Sequence, residues 1–420
     1  MRLSAILIMI SCLLLAAGSR VSAQIGLPHV QLPPIPELPQ INEPPLIDLD
    51  RTLARLRLDR VDALLRAHPE IVELDRDERP AVRGVLVAIG VDAALVARAA
   101  NEGFVLESRE RIEGLDLDVA RFRAPDDRSL ARAQKQLARL LPNAHVDADN
   151  LYFASGSESA EADWALRMAP LANAAHGGVS LGLIDGGVAA HPSVAGRVEQ
   201  RGFARGAPSP NRHGTAVASL LIGQGTVRGA APGARLLAAD VYGADPAGGN
   251  ASAIARALGW LVQRGAAVVT ISLVGPDNKL LALAVQRAQA RGLLIVAAVG
   301  NDGPAAPPAY PAAYPGVLGV TGVDAKGQVL PEAGRAAQVD FAGPGEAVLA
   351  ATGAASSDRL RGTSFAAPLV AGRLARLYPA PNVDRIDPAI RALIAEARDL
   401  GRKGRDKQTG HGLVCGDCGR

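Results

Sequence analysis

The chain has 420 residues, 48% of them hydrophobic and 21% charged, which excludes a disordered or fibrous protein and leaves room for more than one core. Its net charge of +3 comes from scattered basic residues, with no concentrated stripe to follow a phosphate backbone, so nucleic acid is not an expected partner. Only 3% of residues are aromatic, so the core must be built mainly from Ala, Val and Leu.

Residues 1–23 have a basic residue near their start, Arg2, continue with an apolar stretch from Ala5 to Ala17, and end on Val21-Ser22-Ala23. This is the pattern of a secretory signal peptide cut after Ala23. A retained anchor is the rival reading, but about 13 apolar residues fall short of the roughly 20 that span a bilayer. A lipoprotein reading through Cys12 fits less well, because the apolar run continues past that cysteine. Signal removal would leave no stable membrane span and a secreted protein, periplasmic or extracellular. Residues 24–50 form a Pro-rich linker, whose composition favours extended structure and cannot build a core. Residues 51–80 are read as an amphipathic helical segment, with Leu53, Leu56, Val61, Leu64 and Leu65 on one face. That face suits packing on the following domain, or a partner.

Residues 81–155 alternate strand, helix, strand and again strand, helix, strand, from VRGVLVAIG to AHVDADNLYF. Two split βαβ halves of this size predict a small α+β, ferredoxin-like domain. Beyond it, residues 160–414 change pattern. The runs VSLGLID, RLLAADVY, AVVTIS, LLIVAAV and VLGVTGV suit strands buried on both faces, separated by helical segments such as NASAIARALGWLVQRG. The predicted fold class is α/β, a doubly wound and mainly parallel sheet. Such sheets place their sites outside the carboxyl ends of the strands, where Asp185 and Asn301 fall.

Three words in this region carry the chemistry: LIDGG ending at Gly187, HGTAVAS opening at His213, and GTSFAAP around Ser364. A serine hydroxyl needs a histidine to take its proton, and a buried carboxylate fixes that histidine's tautomer. Asp185, His213 and Ser364 supply carboxylate, base and nucleophile. Each also has a plainer reading: a turn residue before two glycines, a helix-start histidine, and a helix N-cap. Pro368 in GTSFAAP, tolerated only near a helix beginning, is harder to explain plainly.

The order Asp, His, Ser, with the words around each residue, resembles the subtilase family of serine peptidases over roughly residues 160–414. The α/β-hydrolase alternative is disfavoured because Ser364 lacks a G-x-S-x-G elbow and the order is wrong for it. The arginine bias, with only 5 Lys among 45 basic residues, and the abundant Ala fit a GC-rich bacterial source. The resemblance implies a serine endopeptidase acting on protein or peptide substrates through an acyl-enzyme. It puts Asn301 in VAAVGNDGP at the oxyanion hole, with the Ser364 backbone N–H as second donor. It also implies substrate binding by Ser272, Leu273, Val274 and Gly275, facing Ala298, Val299 and Gly300. Val274 and Val299 suggest an apolar P1 pocket and uncharged P1 residues, whereas Asp302 at the rim would favour a basic one.

Residues 81–155 are similar to the family's inhibitory propeptides, a partner in cis that the enzyme would cut away somewhere after Tyr152. An accessory domain that stays attached is the other reading. Where the family commonly has Thr or Ser after the catalytic Asp, this chain has Gly186, and a silent subtilase-fold binding protein is the alternative that this motivates. No cofactor is required for the chemistry; structural calcium is a family trait to which no loop here can be assigned. In the tail, residues 415–420, Cys415 and Cys418 suit a disulfide or two free thiols. With His411 they give only three of the four ligands that a structural zinc takes. A thiol redox role for the two is a further rival, disfavoured by their terminal position.

Overall fold

A computed structural model describes residues 46–155, 157–158, 178–334, 339–416 and 418. The expected signal, nearly all of the Pro-rich linker and residues 160–177 lie outside the described residues. The first element, α1 (Leu46–Ala67), starts inside the stretch read as linker and stops at His68-Pro69. Proline pushes the residue before it out of helical conformation. The segment 51–80 is therefore helical only in its first part, and it continues as β1 (Val72–Leu74), paired antiparallel with β2 (Pro80–Ile89). Leu64 of α1 packs with Val72, Leu151 and Ala247, and Phe153 lies against the same cluster. Nearer its start, Leu53 covers Gly303, where an added methyl would stand 2.9 Å from Leu53 Cδ1.

With β2 come α2 (Ala93–Asn101), β3 (Val105–Ile112), β4 (Leu117–Arg123), α3 (Leu130–Leu140) and β5 (His145–Asn150). The strands pair antiparallel in the order β3–β4–β2–β5, the ferredoxin-like arrangement. Alternation explains why β2 is apolar on both faces. Leu86 and Ala88 meet α2 and α3 in one cluster, while Val87 and Ile89 belong to the core of the following region.

Two short strands follow, β6 (Phe153–Ala154) and β7 (Ser157–Glu158). The large region then runs β8 (Ser180–Asp185), β9 (Val198–Gly202), α4 (Arg212–Ile222), β10 (Arg235–Asp240), α5 (Ala251–Gln263), β11 (Val268–Ile271), β12 (Leu273–Val274), α6 (Lys279–Ala290), β13 (Leu294–Ala298), β14 (Leu318–Val323), β15 (Phe341–Pro344), β16 (Val348–Ala351), β17 (Ser357–Arg361), α7 (Thr363–Leu377) and α8 (Ile386–Glu396). Seven strands form one parallel sheet in the order β15–β14–β13–β11–β8–β10–β9. Leu181, Leu183, Val268 and Val296 pack under α4 and α7, and their neighbours Ile184, Val269 and Ile295 under α5 and α6. Each such side chain, once buried, contributes about 1.5–3 kcal/mol.

The small sheet docks on the large one through β5. Asp149 accepts from the Ser252 N–H at the start of α5, 2.9 Å, and Asp147 accepts from the Lys279 N–H at the start of α6, 2.8 Å. Two carboxylates spaced i, i+2 thus point the same way along a strand and meet two positive helix ends. Arg121 also binds Asp149, at 2.7 Å. At the far end of the chain, Cys415 and Cys418 form a disulfide at the edge of the core. His411 leans on Phe341 instead of joining them.

Candidate active site

Asp185 closes β8, at the carboxyl end of the sheet, and is fully buried. Both of its carboxylate oxygens lie 2.9 Å from His213 Nδ1, and Oδ1 also accepts the Gly186 N–H at 2.7 Å. A carboxylate on Nδ1 leaves Nε2 as the ring's proton acceptor. His213 is the second residue of α4, whose N-cap is Asn211, and the cap oxygen accepts from the N–H groups of His213 and Gly214 at 2.8 and 3.1 Å. Asn211 also answers the question raised by Gly186. A methyl on Gly186 would stand 2.5 Å from Asn211 Cβ, so a larger residue has no room there.

Ser364, also fully buried, is the second residue of α7. Pro368 has no N–H to give to the Ser364 carbonyl four residues back. That carbonyl instead accepts the Ser272 hydroxyl at 3.0 Å, which ties the start of α7 to the residue between β11 and β12. The Ser364 hydroxyl donates to the Ser272 carbonyl at 3.2 Å and lies 2.8 Å from the Ser155 hydroxyl. His213 Nε2 is buried with no hydrogen-bond partner among the described residues, so the serine–histidine bond is not made in this state. The His213 ring stands against Phe365, centroids 5.6 Å apart.

Asn301 reaches the same place from the end of β13. Its Oδ1 accepts the Thr363 N–H at 3.1 Å, while Nδ2 is buried and unpaired among the described residues. Because a backbone N–H must face the amide oxygen, Nδ2 is the end left to donate. Thr363 Oγ1 accepts the Gly300 N–H at 3.2 Å and so fixes this loop against α7.

A family model described as the subtilase family matches residues 176–412. The chain belongs to the subtilase family. This is a family of serine-type peptidases that needs no cofactor for peptide hydrolysis. Among its relatives is the minor extracellular protease Epr of Bacillus subtilis, 32% identical over 254 residues, which cover 56% of this chain and 37% of that protein. Subtilisin BL of Lederbergia lenta is 36% identical over 205 residues, 47% of this chain and 75% of that one. The chain thus spans well under half the length of Epr. Fervidolysin from Fervidobacterium pennivorans, a keratinolytic enzyme related to subtilisin, superposes with a TM-score of 0.67 over 80% of this chain and 60% of its own. At 20% identity that likeness speaks for the fold.

In this subtilase the segment around Ser155 lies beside Ser364 as an added strand. Strand β6 pairs antiparallel with β12, Leu273 opposite Ala154 and Val274 opposite Phe153. The Ser155 N–H continues the ladder to the Ser272 carbonyl at 3.1 Å. Past the nucleophile, β7 pairs antiparallel with β17, Arg361 opposite Ser157. Upstream, the buried Tyr152 ring lies against Gly275, and its hydroxyl donates to the Pro276 carbonyl at 2.8 Å. The Tyr242 hydroxyl donates to the Tyr152 carbonyl, also at 2.8 Å. Burial pushes both phenols well above their usual pKa, with the Tyr314 hydroxyl adding for Tyr152 and the Asp185 charge for Tyr242, so both stay neutral donors.

Of the residues read as pocket lining, Val299 has its side chain in the core with Ile271, Ala297 and Val317, and Ala298 in the cluster on the opposite face, while Val274 belongs to neither cluster. Asp302 is half-buried. Sequence reasoning missed Ser155, Asn211 and Thr363. For Asn211 a signal existed, since Asn is a favoured N-cap and stands two residues before His213.

Proposed function

We propose that this subtilase is a secreted serine endopeptidase, made with an inhibitory N-terminal domain that it removes by cutting the bond after Ser155. The observation that supports this most is the seating of Ser155. Its N–H is bound to the Ser272 carbonyl, its hydroxyl is 2.8 Å from Ser364 Oγ, and the strand pairings on either side bracket the nucleophile. An extended chain held as an added strand is how a peptide substrate would lie.

In the reaction, the Ser364 hydroxyl turns from the Ser272 carbonyl to His213 Nε2, which takes its proton. Oγ attacks the Ser155 carbonyl carbon, and the oxyanion is held by Asn301 Nδ2 and the Ser364 backbone N–H. His213 returns the proton to the leaving amine of Gly156. The acyl-enzyme on Ser364 is then hydrolysed by water, which His213 deprotonates in turn. Asp185 stabilises the imidazolium throughout. Gly186 does not argue against activity, since Asp185 keeps its backbone donor and Asn211 holds the histidine's helix.

The test is expression from Gln24 onward beside Ser364→Ala, with intact mass followed over time. Division of the wild type alone, at Ser155–Gly156, is the expected result. Division of both chains equally, or of neither, would overturn self-processing. Labelling of Ser364 by a fluorophosphonate separates an enzyme from a silent binder.

A further inference from the structure

Resting on that reading, we infer that Val274 and Ala309 close the P1 slot of this enzyme, so that it cuts after Gly, Ala or Ser.

The slot is defined by the seated segment. Cross-strand partners share a face of a sheet, and alternate residues along a strand share one too. Phe153 and Ser155 are alternate residues, and Phe153 is the partner of Val274. The side chains of Ser155 and Val274 therefore lie on the same side of the ladder. The opposite wall is Gly300, next to the oxyanion residue Asn301. A methyl added to Gly300 would stand 3.4 Å from Val274 Cγ1 and 3.6 Å from Ala309 Cβ, which is ordinary contact distance. Valine and alanine thus reach across to the far wall and leave about one methyl group of width. Val274 is 8% exposed even so, and its side chain belongs to none of the main core clusters, which fits a residue whose place is the slot itself. Ser155 is the kind of residue that such a slot admits, at 3% exposed with its hydroxyl turned to Ser364.

The test uses the full chain after processing, with acyl-tetrapeptide nitroanilides. Tyr-Phe-Ala-Ser and Tyr-Phe-Ala-Ala should exceed Tyr-Phe-Ala-Phe in kcat/KM by about 100-fold, the scale on which a tight apolar pocket rejects what does not fit. Val274→Gly, with Val274→Ala and Ala309→Gly as milder versions, should raise the value for the Phe substrate by about tenfold. A Ser364 that labels with fluorophosphonate in an enzyme preferring Phe after the third residue overturns this inference alone. A folded chain, processed and freed of its N-terminal fragment, whose Ser364 does not label overturns the parent reading, and this one with it.

Discussion

Replacing Asp147 and Asp149 together by Asn should loosen the grip of the N-terminal domain without touching the catalytic residues. The two carboxylates meet the first N–H groups of α6 and α5 at 2.8 and 2.9 Å. A carboxylate at a helix N-terminus contributes about 0.3–2 kcal/mol, the upper part of that range applying when it is partly buried. Asparagine keeps the shape and removes the charge. Burial raises the Asp147 pKa, against the pull of the Lys279 N–H, so its share is the smaller. Asp149 is fully buried, so its share is the larger. Together the loss falls between about 1 and 4 kcal/mol, or roughly 5- to 800-fold in the dissociation constant of the cut domain. The assay dilutes the processed two-fragment complex into peptide substrate and reads the progress curve. Asp118→Asn serves as the control, since Asp118 pairs with Arg111 on the surface, where such pairs contribute about 0–1 kcal/mol. A double variant that folds normally yet inhibits as tightly as the parent would refute the helix-end account.

Gly186→Ser, which installs the hydroxyl common in the family, should destabilise the protein by about 1–3 kcal/mol, because the added atoms collide with Asn211. An unchanged Tm in the Ser364→Ala background would show that the loop yields. Asn301→Ala should lower kcat by about 10²–10³ with little change in KM, the loss known for the equivalent donor of subtilisin itself. A variant with full kcat would remove Nδ2 from the mechanism. His411 has its pKa lowered by burial first and then by the Arg405 charge, partly offset by Asp340. A histidine favoured neutral in the fold contributes stability above its ordinary pKa near 6.5, and that stability is lost as pH falls through it toward the lowered value. Urea denaturation of the Ser364→Ala protein at pH 8 and pH 5 should register the difference, and His411→Gln should shrink it.

The elements that carry Asp185, His213 and Ser364 were readable because each is local. A buried strand ending in Asp185, a helix opening at Arg212 and a helix opening at Thr363 are all encoded within a dozen residues, and the parallel sheet brings their ends together. The strand and helix order of the small sheet was readable for the same reason. What could not be read was set by register between distant segments. Nothing in Tyr-Phe-Ala-Ser indicates that its serine will meet a hydroxyl 209 positions away. The face that Val299 presents depends on where β13 ends, and the reach of Val274 depends on which residue lies opposite it. The room available at Gly186 is decided by Asn211, a side chain 25 positions later that looks from the sequence like an ordinary cap. The end of α1 at Ala67 was visible in His68-Pro69, but helical spacing upstream carried the reading too far.

Helix α1 touches the large region at two separated points, with Leu53 over Gly303 beside the Asn301 loop and Leu64 in one cluster with Ala247. Cutting the chain after Ser155 frees neither. The N-terminal fragment would remain a bivalent ligand, each contact holding the other at high local concentration, so that release of one is followed by rebinding before the second lets go. Activity would then emerge with a lag set by destruction of the fragment rather than by the cut. An exported enzyme of this design would pass through its own compartment cleaved but still silent.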